Sequence, residues 1–181
     1  ELGLKGHNRA TFEKRLMRNL EVLLEDAPVH EITRISGRVL VVYDAAAGAD
    51  APAKAAQLIA RVPGVARVSC GFASERNMDD ICEAAHQALG EAGDFCTWKV
   101  VGRRNHTDFP IDSMQINQIV GEHLCGLFPD KKVKMKGADV EVHVEVVQGM
   151  AYVYAQTMRG VGGLPVGTAG KVVCLLSSGI D

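Results

Sequence analysis

The chain has 181 residues, of which 47% are hydrophobic and 23% are charged, and its formal net charge is −2 at pH 7. This composition is ordinary for a globular protein, and the length suits one large domain or two small ones. The absence of any run of about 18 apolar residues excludes a transmembrane helix, and no secretory signal is visible. Because the chain starts at Glu1 and stops at Asp181 directly after an apolar run, we expect it to be cut from a longer protein.

The five cysteines give no sign of a metal cage or of a disulfide framework. No Cys-x-x-Cys pair is present, which argues against a zinc site or a dithiol redox motif. Their odd number favours a reduced, cytoplasmic compartment. We expect most of them to be small core residues rather than nucleophiles. They are Cys70, Cys82, Cys96, Cys125 and Cys174.

Positive charge is concentrated in three segments, although the total charge is negative. Residues 1–20 carry +3, residues 97–108 carry +2 and residues 131–136 carry +4, whereas residues 21–96 carry −6. A phosphate backbone responds to local positive potential rather than to net charge. The segregation leaves two interpretations open, namely solvated charged faces and a nucleic-acid-binding surface.

The first half of the chain alternates between helical and strand patterns. The predicted elements are a helix over 8–26, a hairpin over 29–36 and 38–44, a helix over 51–62 and a strand over 65–73. Apolar residues recur at helical spacing in the first helix, and Gly37 splits the two β-branched runs of the hairpin. A strand ending near Leu4 would complete the split β-α-β pattern of a ferredoxin-like unit.

The second half starts the alternation again. The predicted elements are a helix over 78–91, a strand over 95–103, a helix over 112–127 and a hairpin over 140–147 and 151–157. Valines at 140, 142, 144 and 146 alternate with Glu141, His143 and Glu145, which predicts a strand with one wet face. Residues 159–170 are rich in glycine and predict a linker. Lys171–Leu176 is apolar on both faces, as a strand of a parallel sheet is.

The last residues form a strand that runs straight into a Ser/Gly turn. Backbone N–H groups of such a turn can converge on an anion, so the pattern is typical of a phosphate site. An ordinary turn remains the alternative, since short glycine motifs often occur by chance. Ser177-Ser-Gly-Ile-Asp181 resembles the PP-loop of ATP pyrophosphatases, Ser-Gly-Gly-x-Asp-Ser, with Ser178 in place of the first glycine.

The segment before this turn makes the resemblance more specific. Residues 160–171, Gly-Val-Gly-Gly-Leu-Pro-Val-Gly-Thr-Ala-Gly-Lys, resemble the linker ahead of the PP-loop in the tRNA 4-thiouridine synthetases, or tRNA sulfurtransferases. Residues 1–9, 98–110 and 133–145 resemble, in the same order, the N-terminal segment, the basic strand and loop of the THUMP domain, and the end of that domain. The family usually has Asn-Pro where this chain has Gly137-Ala138.

This resemblance implies an α/β (α+β) fold in four parts. They are an N-terminal ferredoxin-like domain over 1–74 with a truncated first strand, a THUMP RNA-binding domain over 75–157, a glycine-rich linker over 158–170, and the first strand and PP-loop start of a parallel-sheet ATP pyrophosphatase domain over 171–181. The helix and strand pattern read from the residues agrees with two α/β units and one further strand.

The resemblance also implies a function, with ATP and Mg²⁺ as cofactors. ATP would adenylylate O4 of uridine 8 in tRNA, and a persulfide sulfur would displace it to give 4-thiouridine. The implied partners are tRNA and a persulfide-carrying, cysteine desulfurase-like donor; the family also allows a homodimer, and no membrane is involved. Because the catalytic cysteines and most of the nucleotide fold lie outside 1–181, we expect no thiolation by this chain alone. The alternatives are a tRNA-binding module without catalysis and another THUMP-containing RNA modifier.

The residues expected to carry this function form two groups, with no catalytic residue and no metal ligand among them. The predicted RNA-binding residues are Lys5, His7, Asn8, Arg9, Lys99, Arg103, Arg104, His106, Lys132 and Lys134. The resemblance implies that the nucleotide site includes Leu175, Leu176, Ser177, Ser178, Gly179 and Asp181. For each cation the alternative is an ordinary exposed charge. Trp98 could stack on a base, but a core position is the expected one.

Overall fold

A computed structural model describes residues 9–35, 37–43, 48, 50–171 and 173. The described residues fall into two compact units, the first drawn from Glu1–Ala66 and Arg159–Asp181, and the second from Arg67–Met158. None of the helices described is long and apolar enough to cross a membrane. The mixed α/β class predicted from the sequence is confirmed.

The first unit contains two helices and a β-hairpin, in the predicted order. They are α1 (Arg9–Leu23), β1 (Val29–Ile35), β2 (Arg38–Tyr43) and α2 (Asp50–Ala60). Leu16, Leu20 and Leu24 recur every fourth residue and are buried, because that spacing places them on one face of a helix. The hairpin pairs antiparallel, and Gly37 turns it with φ of 78°, a conformation that side chains rarely adopt.

The glycine-rich segment predicted as a linker packs against residues 60–66 of the first unit. Gly160 N–H donates to the carbonyl of Ala66, and Val161 N–H donates to that of Ala60. Gly64 and Gly162 are also bonded through their backbones. A Cβ atom added at Gly160 would lie 2.2 Å from the Val65 carbonyl oxygen. Glycine is therefore required at residue 160 by close backbone approach, not by flexibility.

The second unit is a five-stranded sheet with two helices. Its elements are β3 (Arg67–Ser74), α3 (Met78–Gly90), β4 (Thr97–Arg104), α4 (Ser113–Leu127), β5 (Lys132–Val133), β6 (Val140–Val146) and β7 (Ala151–Arg159). The strand order is β3-β7-β6-β4-β5, with β4 parallel to β5 and β6, and β6 antiparallel to β7. Helix α4 begins at a capping box in which Asp112 and Gln115 bond reciprocally.

The core of the second unit lies between the helices and one sheet face. Ile81 and Leu89 of α3, Ile116 and Val120 of α4, and the valines of β6 share this core. Trp98 is fully buried there, which confirms the core position expected for it and excludes base stacking by its ring. A buried aromatic of this size contributes a large share of the apolar area removed from water.

Two structural expectations are wrong. The strand predicted over 65–73 exists as β3, but it pairs with β7 in the five-stranded sheet instead of completing the first unit. The reason is visible at Phe72, which packs against the core of the second unit. The cysteines are also more exposed than expected: Cys82 is buried and Cys70 half-buried, whereas Cys96 and Cys125 are exposed. Cys174 lies outside the described residues, and the domain boundary at 74 stays a prediction.

The close approach at Gly160 generates a prediction about stability. Gly160→Ala places a methyl group against the Val65 carbonyl, so we expect a loss of roughly 1–3 kcal/mol, the usual cost of overpacking. The matched control is Gly170→Ala, because a Cβ there meets nothing within 4 Å. Thermal unfolding of both variants checks this, and equal midpoints would contradict the described packing of the segment.

Candidate nucleic-acid interface

In the first unit, Arg9 and Arg34 converge on one carboxylate. Arg9 Nε donates to Oε1 of Glu13 at 2.7 Å, and Arg34 Nη1 donates to Oε2 of the same residue. Glu13 is only 8% exposed, whereas the two arginine side chains are 46% and 52% exposed. The hydrogen bond from Arg9 is the main cause that lowers the pKa of Glu13, with Arg34 adding to it against the effect of burial.

Of the other predicted residues at this end, Lys5, His7 and Asn8 lie outside the described residues. Arg9 is therefore the predicted RNA-binding residue of the first unit whose surroundings are defined. It lies in the first turn of α1, and Gly37 of the hairpin leaves room for its guanidinium.

Strand β4 sends its predicted cations to opposite faces of the sheet. Trp98 and Gly102 face the helices, where Gly102 N–H donates to Oδ1 of Asn117 at 2.6 Å. Arg104 follows the same alternation, so it lies on the helix side with them. Lys99 and Arg103 occupy the other face. The structure thus separates Arg103 from Arg104, which the sequence had placed in one cluster.

The face that carries Lys99 is a polar network rather than a free basic patch. Lys99 Nζ lies 2.8 Å from Oε1 of Glu141, and the lysine side chain is only 20% exposed. His143 Nε2 lies 3.4 Å from Oε2 of Glu141, and the His143 ring stacks on Tyr154. Lys99 is therefore largely neutralised within the protein, which makes it a poor candidate for phosphate binding.

The same network explains why the predicted wet face of β6 is wrong at one position. Glu145 is 1% exposed, and the Tyr154 hydroxyl donates to its Oε1 at 3.0 Å. A buried carboxylate needs such a donor, because an unsatisfied one costs several kcal/mol. Burial is the main cause that lowers the pKa of His143, and Glu141 opposes this effect.

Arg104 holds the loop that follows β4, together with Arg76. Arg104 Nη1 donates to the Phe109 carbonyl oxygen at 3.0 Å, and Arg76 Nη1 lies 2.7 Å from Oδ2 of Asp108. The Arg76 guanidinium also lies over the Phe109 ring, 5.6 Å from its centroid. The hydrogen bond from Arg76 is the main cause that lowers the pKa of Asp108. Both arginines thus hold this loop at Asp108 and Phe109, and the predicted residue His106 lies in the same loop.

The lysine-rich segment divides into an engaged lysine and free ones. Lys131 Nζ donates to the Phe95 carbonyl oxygen at 2.6 Å and lies 4.9 Å from the centroid of the Phe95 ring. Lys132 and Lys134 are exposed, and neither forms an ion pair with any residue that the structure describes. They continue along the edge of the sheet beside β4, where Lys134 N–H donates to the Trp98 carbonyl.

Two family models match the chain. Residues 1–69 match the ThiI ferredoxin-like domain, and residues 75–156 match the THUMP domain. A probable tRNA sulfurtransferase of Streptococcus sanguinis is 33% identical over 182 residues, which cover 100% of this chain and 44% of that protein. Another from Lactobacillus gasseri is 36% identical with the same coverage. The chain therefore contains a ThiI ferredoxin-like domain and a THUMP domain, and it is similar over its whole length to tRNA sulfurtransferases. It spans less than half the length of these relatives.

Solved structures show the same similarity. A 4-thiouridine synthetase–RNA complex with bound ATP matches with a TM-score of 0.83 and 30% identity, covering 100% of this chain and 45% of that one. PH1313 from Pyrococcus horikoshii matches with a TM-score of 0.81 and 32% identity, covering 93% of this chain and 55% of that one. TrmN from Thermus thermophilus, at 23% identity and a TM-score of 0.55, shares the fold alone over 82% of this chain and 43% of that one.

Three residues that the sequence did not predict shape the surface of the two described units. They are Glu13, Arg34 and Arg76. Glu13 could have been suspected, because it lies next to Phe12 and three residues before Leu16, on the apolar side of α1. Arg34 and Arg76 carry no sequence signal, since their partners Glu13 and Asp108 are 21 and 32 residues away.

The nucleotide residues expected from the family resemblance cannot be placed on this surface. Leu175, Leu176, Ser177, Ser178, Gly179 and Asp181 lie outside the described residues. Within the described part of the chain, no group of three or more His, Cys, Asp or Glu residues could hold a metal ion. The described surface is accordingly one of cations and their partners.

The role of Arg76 generates a prediction. Arg76→Ala removes both the ion pair to Asp108 and the contact with Phe109, so the loop over residues 105–111 should loosen. We expect faster amide hydrogen exchange there, with the amides of α4 still protected. Arg67→Ala is the control, since Arg67 is an exposed arginine on β3. Unchanged exchange in the loop of the Arg76 variant would show that Arg104 alone holds it.

Proposed function

We propose that this chain is the tRNA-binding part of an ATP-dependent tRNA uracil 4-sulfurtransferase that acts in the cytoplasm. The proposal rests on one observation: some cations of the THUMP domain are exposed and unpaired, whereas others are held by partners within the protein. Lys132, Lys134 and Arg103 are exposed and form no ion pair within the described residues. The engaged cations Lys99 and Lys131 are held by partners of the protein itself.

Free and engaged cations contribute differently to binding a polyanion. A free lysine can neutralise a phosphate and release counterions, which gives affinity without reading bases. A lysine already paired with a carboxylate must first lose that partner. The acceptor end of tRNA is A-form, and proteins recognise such a helix mainly by its shape, phosphates and sugars. A row of unpaired cations on a rigid sheet edge fits that mode of recognition.

In the whole protein, this part would present tRNA to a PP-loop domain. There ATP, with Mg²⁺, would adenylylate O4 of uridine 8, and a sulfur carried as a persulfide by a cysteine desulfurase-like donor would displace the adenylate. The related complex that contains both RNA and ATP supports the pairing of these two ligands. Residues 175–181 would contribute only the first wall of the nucleotide site, and a homodimer is compatible with this arrangement.

A tRNA-binding module without catalysis is the second candidate. This candidate is favoured by the extent of the two matched domains, which together account for residues 1–69 and 75–156 of this chain. We therefore predict no thiouridine when residues 1–181 are incubated with tRNA, ATP and a persulfide donor. Mass spectrometry of digested tRNA measures this, and 4-thiouridine in the product would overturn the assignment of a purely binding role to this chain.

Binding itself is tested by charge reversal on the sheet edge. Lys132→Glu/Lys134→Glu should weaken tRNA binding and reduce the slope of log K against log salt by about 1.4 to 1.8, since each lost phosphate contact removes about 0.7–0.9. Lys54→Glu reverses one exposed charge on α2, outside this edge, and is the control for a charge reversal elsewhere on the chain. Fluorescence anisotropy between low and moderate salt gives both quantities. Equal slopes in the wild-type chain and the double variant would remove this edge from the interface.

The two arginines of β4 should respond differently from each other. Arg103→Ala is expected to lower tRNA affinity and the salt slope by about one phosphate contact, with thermal stability unchanged. Arg104→Ala should lower the unfolding midpoint, because it removes the bond to the Phe109 carbonyl. A comparison of binding isotherms with melting curves separates the two effects. The same profile for both variants would contradict the placement of these side chains on opposite faces.

A further inference from the structure

In the first unit, Arg9 and Arg34 share one carboxylate, that of Glu13. Both oxygens of the Glu13 carboxylate are used, one by Arg9 Nε and the other by Arg34 Nη1. The acid is buried on the apolar side of α1, in the turn before the buried Leu16. The two guanidinium groups belong to separate elements, the start of α1 and strand β1, and they are brought together by this single acid.

The cluster carries a net positive charge with unused donors. Two arginines and one ionised glutamate leave a charge of +1, and the lowered pKa of Glu13 keeps it ionised at neutral pH. Each guanidinium has five N–H donors, of which Glu13 takes one from each. Neither arginine has another hydrogen-bonding partner among the described residues. About half of each side chain is accessible to solvent.

The hairpin turn leaves room for one member of this pair, Arg9. A Cβ atom added at Gly37 would lie 2.6 Å from Nη2 of Arg9, so any larger residue would displace the guanidinium. Arg34 lies opposite Val39 in the hairpin, two positions from the turn. The bonds to the buried Glu13 therefore hold both guanidinium groups before any ligand arrives.

From this geometry we propose that Arg9 and Arg34 form one binding site for the phosphate backbone of RNA, and that Glu13 is its positioning residue. This inference rests on the proposed tRNA-binding function and extends it to a defined site in the first unit. Guanidinium groups match phosphate oxygens through paired N–H donors. Holding them in place in advance lowers the entropy lost on binding, which is about 0.5–1.5 kcal/mol for each immobilised side chain.

If the proposal is right, removing the negative charge of Glu13 should weaken tRNA binding. Removing a negative charge next to a polyanion ordinarily tightens binding, because it removes repulsion. If Glu13 only weakened the local potential, Glu13→Gln would therefore bind tRNA more tightly than the wild-type chain. If Glu13 holds the arginines, the same substitution should weaken binding, although it makes the chain more positive.

The experiment measures the Kd of the 181-residue chain for tRNA across a range of salt concentrations. Glu13→Gln should raise the Kd roughly three- to tenfold, as expected from freeing one or two side chains. Glu21→Gln, an exposed acid further along α1, is the matched control and should leave the Kd equal or lower. Arg34→Ala should reduce the salt slope by about 0.7–0.9, and Arg34→Lys should not restore full affinity.

A combined variant separates positioning from a general loss of fold. In Arg9→Ala/Arg34→Ala, adding Glu13→Gln should cause no further rise in the Kd, because no guanidinium remains to be held. Arg34 is exposed, so its alanine variant is expected to fold and to report on binding alone. Tighter or unchanged binding by Glu13→Gln, or an unchanged slope for Arg34→Ala, would overturn the proposed site. A wild-type chain that fails to bind tRNA would instead refute the proposed function.

Discussion

The packing of α3 and α4 against a single face of the five-stranded sheet is the constraint on which the second unit depends. Because Trp98 and the valines of β6 must face those helices, every second residue of β4 is committed to the core side. The remaining positions face away from the helices. This alternation, rather than charge density, decides which cations are available to a nucleic acid, and it separates Arg103 from Arg104 although they are neighbours in sequence.

The cations also differ in whether they have a bonding partner within the protein. Lys99 is held by Glu141, and Lys131 by the Phe95 carbonyl, whereas Lys132 and Lys134 remain exposed on the sheet edge. In the first unit an intramolecular partner has a different effect. The buried Glu13 bonds two arginines, and about half of each arginine side chain stays exposed. An acid within a basic surface can therefore organise that surface instead of weakening it.

Local patterns in the sequence predicted the helices, both hairpins and the burial of Trp98, because these depend on neighbours a few residues apart. The alternation along β4 was also readable, and it could have separated Arg103 from Arg104. Long-range partners were not readable. The pairing of β3 with β7, the burial of Glu145 beneath Tyr154 and the bond between Arg34 and Glu13 depend on tertiary packing. Composition was misleading at Gly160, where glycine allows close packing and not flexibility.

The central claim is that intramolecular partners determine which cations bind tRNA. Lysine acetylation, with and without tRNA and with mass spectrometry at each site, tests it most directly because one segment contains both kinds of lysine. The account predicts that Lys132 and Lys134 react in the free chain and are protected in the complex. Lys131, whose Nζ is bonded to the Phe95 carbonyl, should react slowly in both. Protection of Lys131 by tRNA, or none at Lys132 and Lys134, would contradict it.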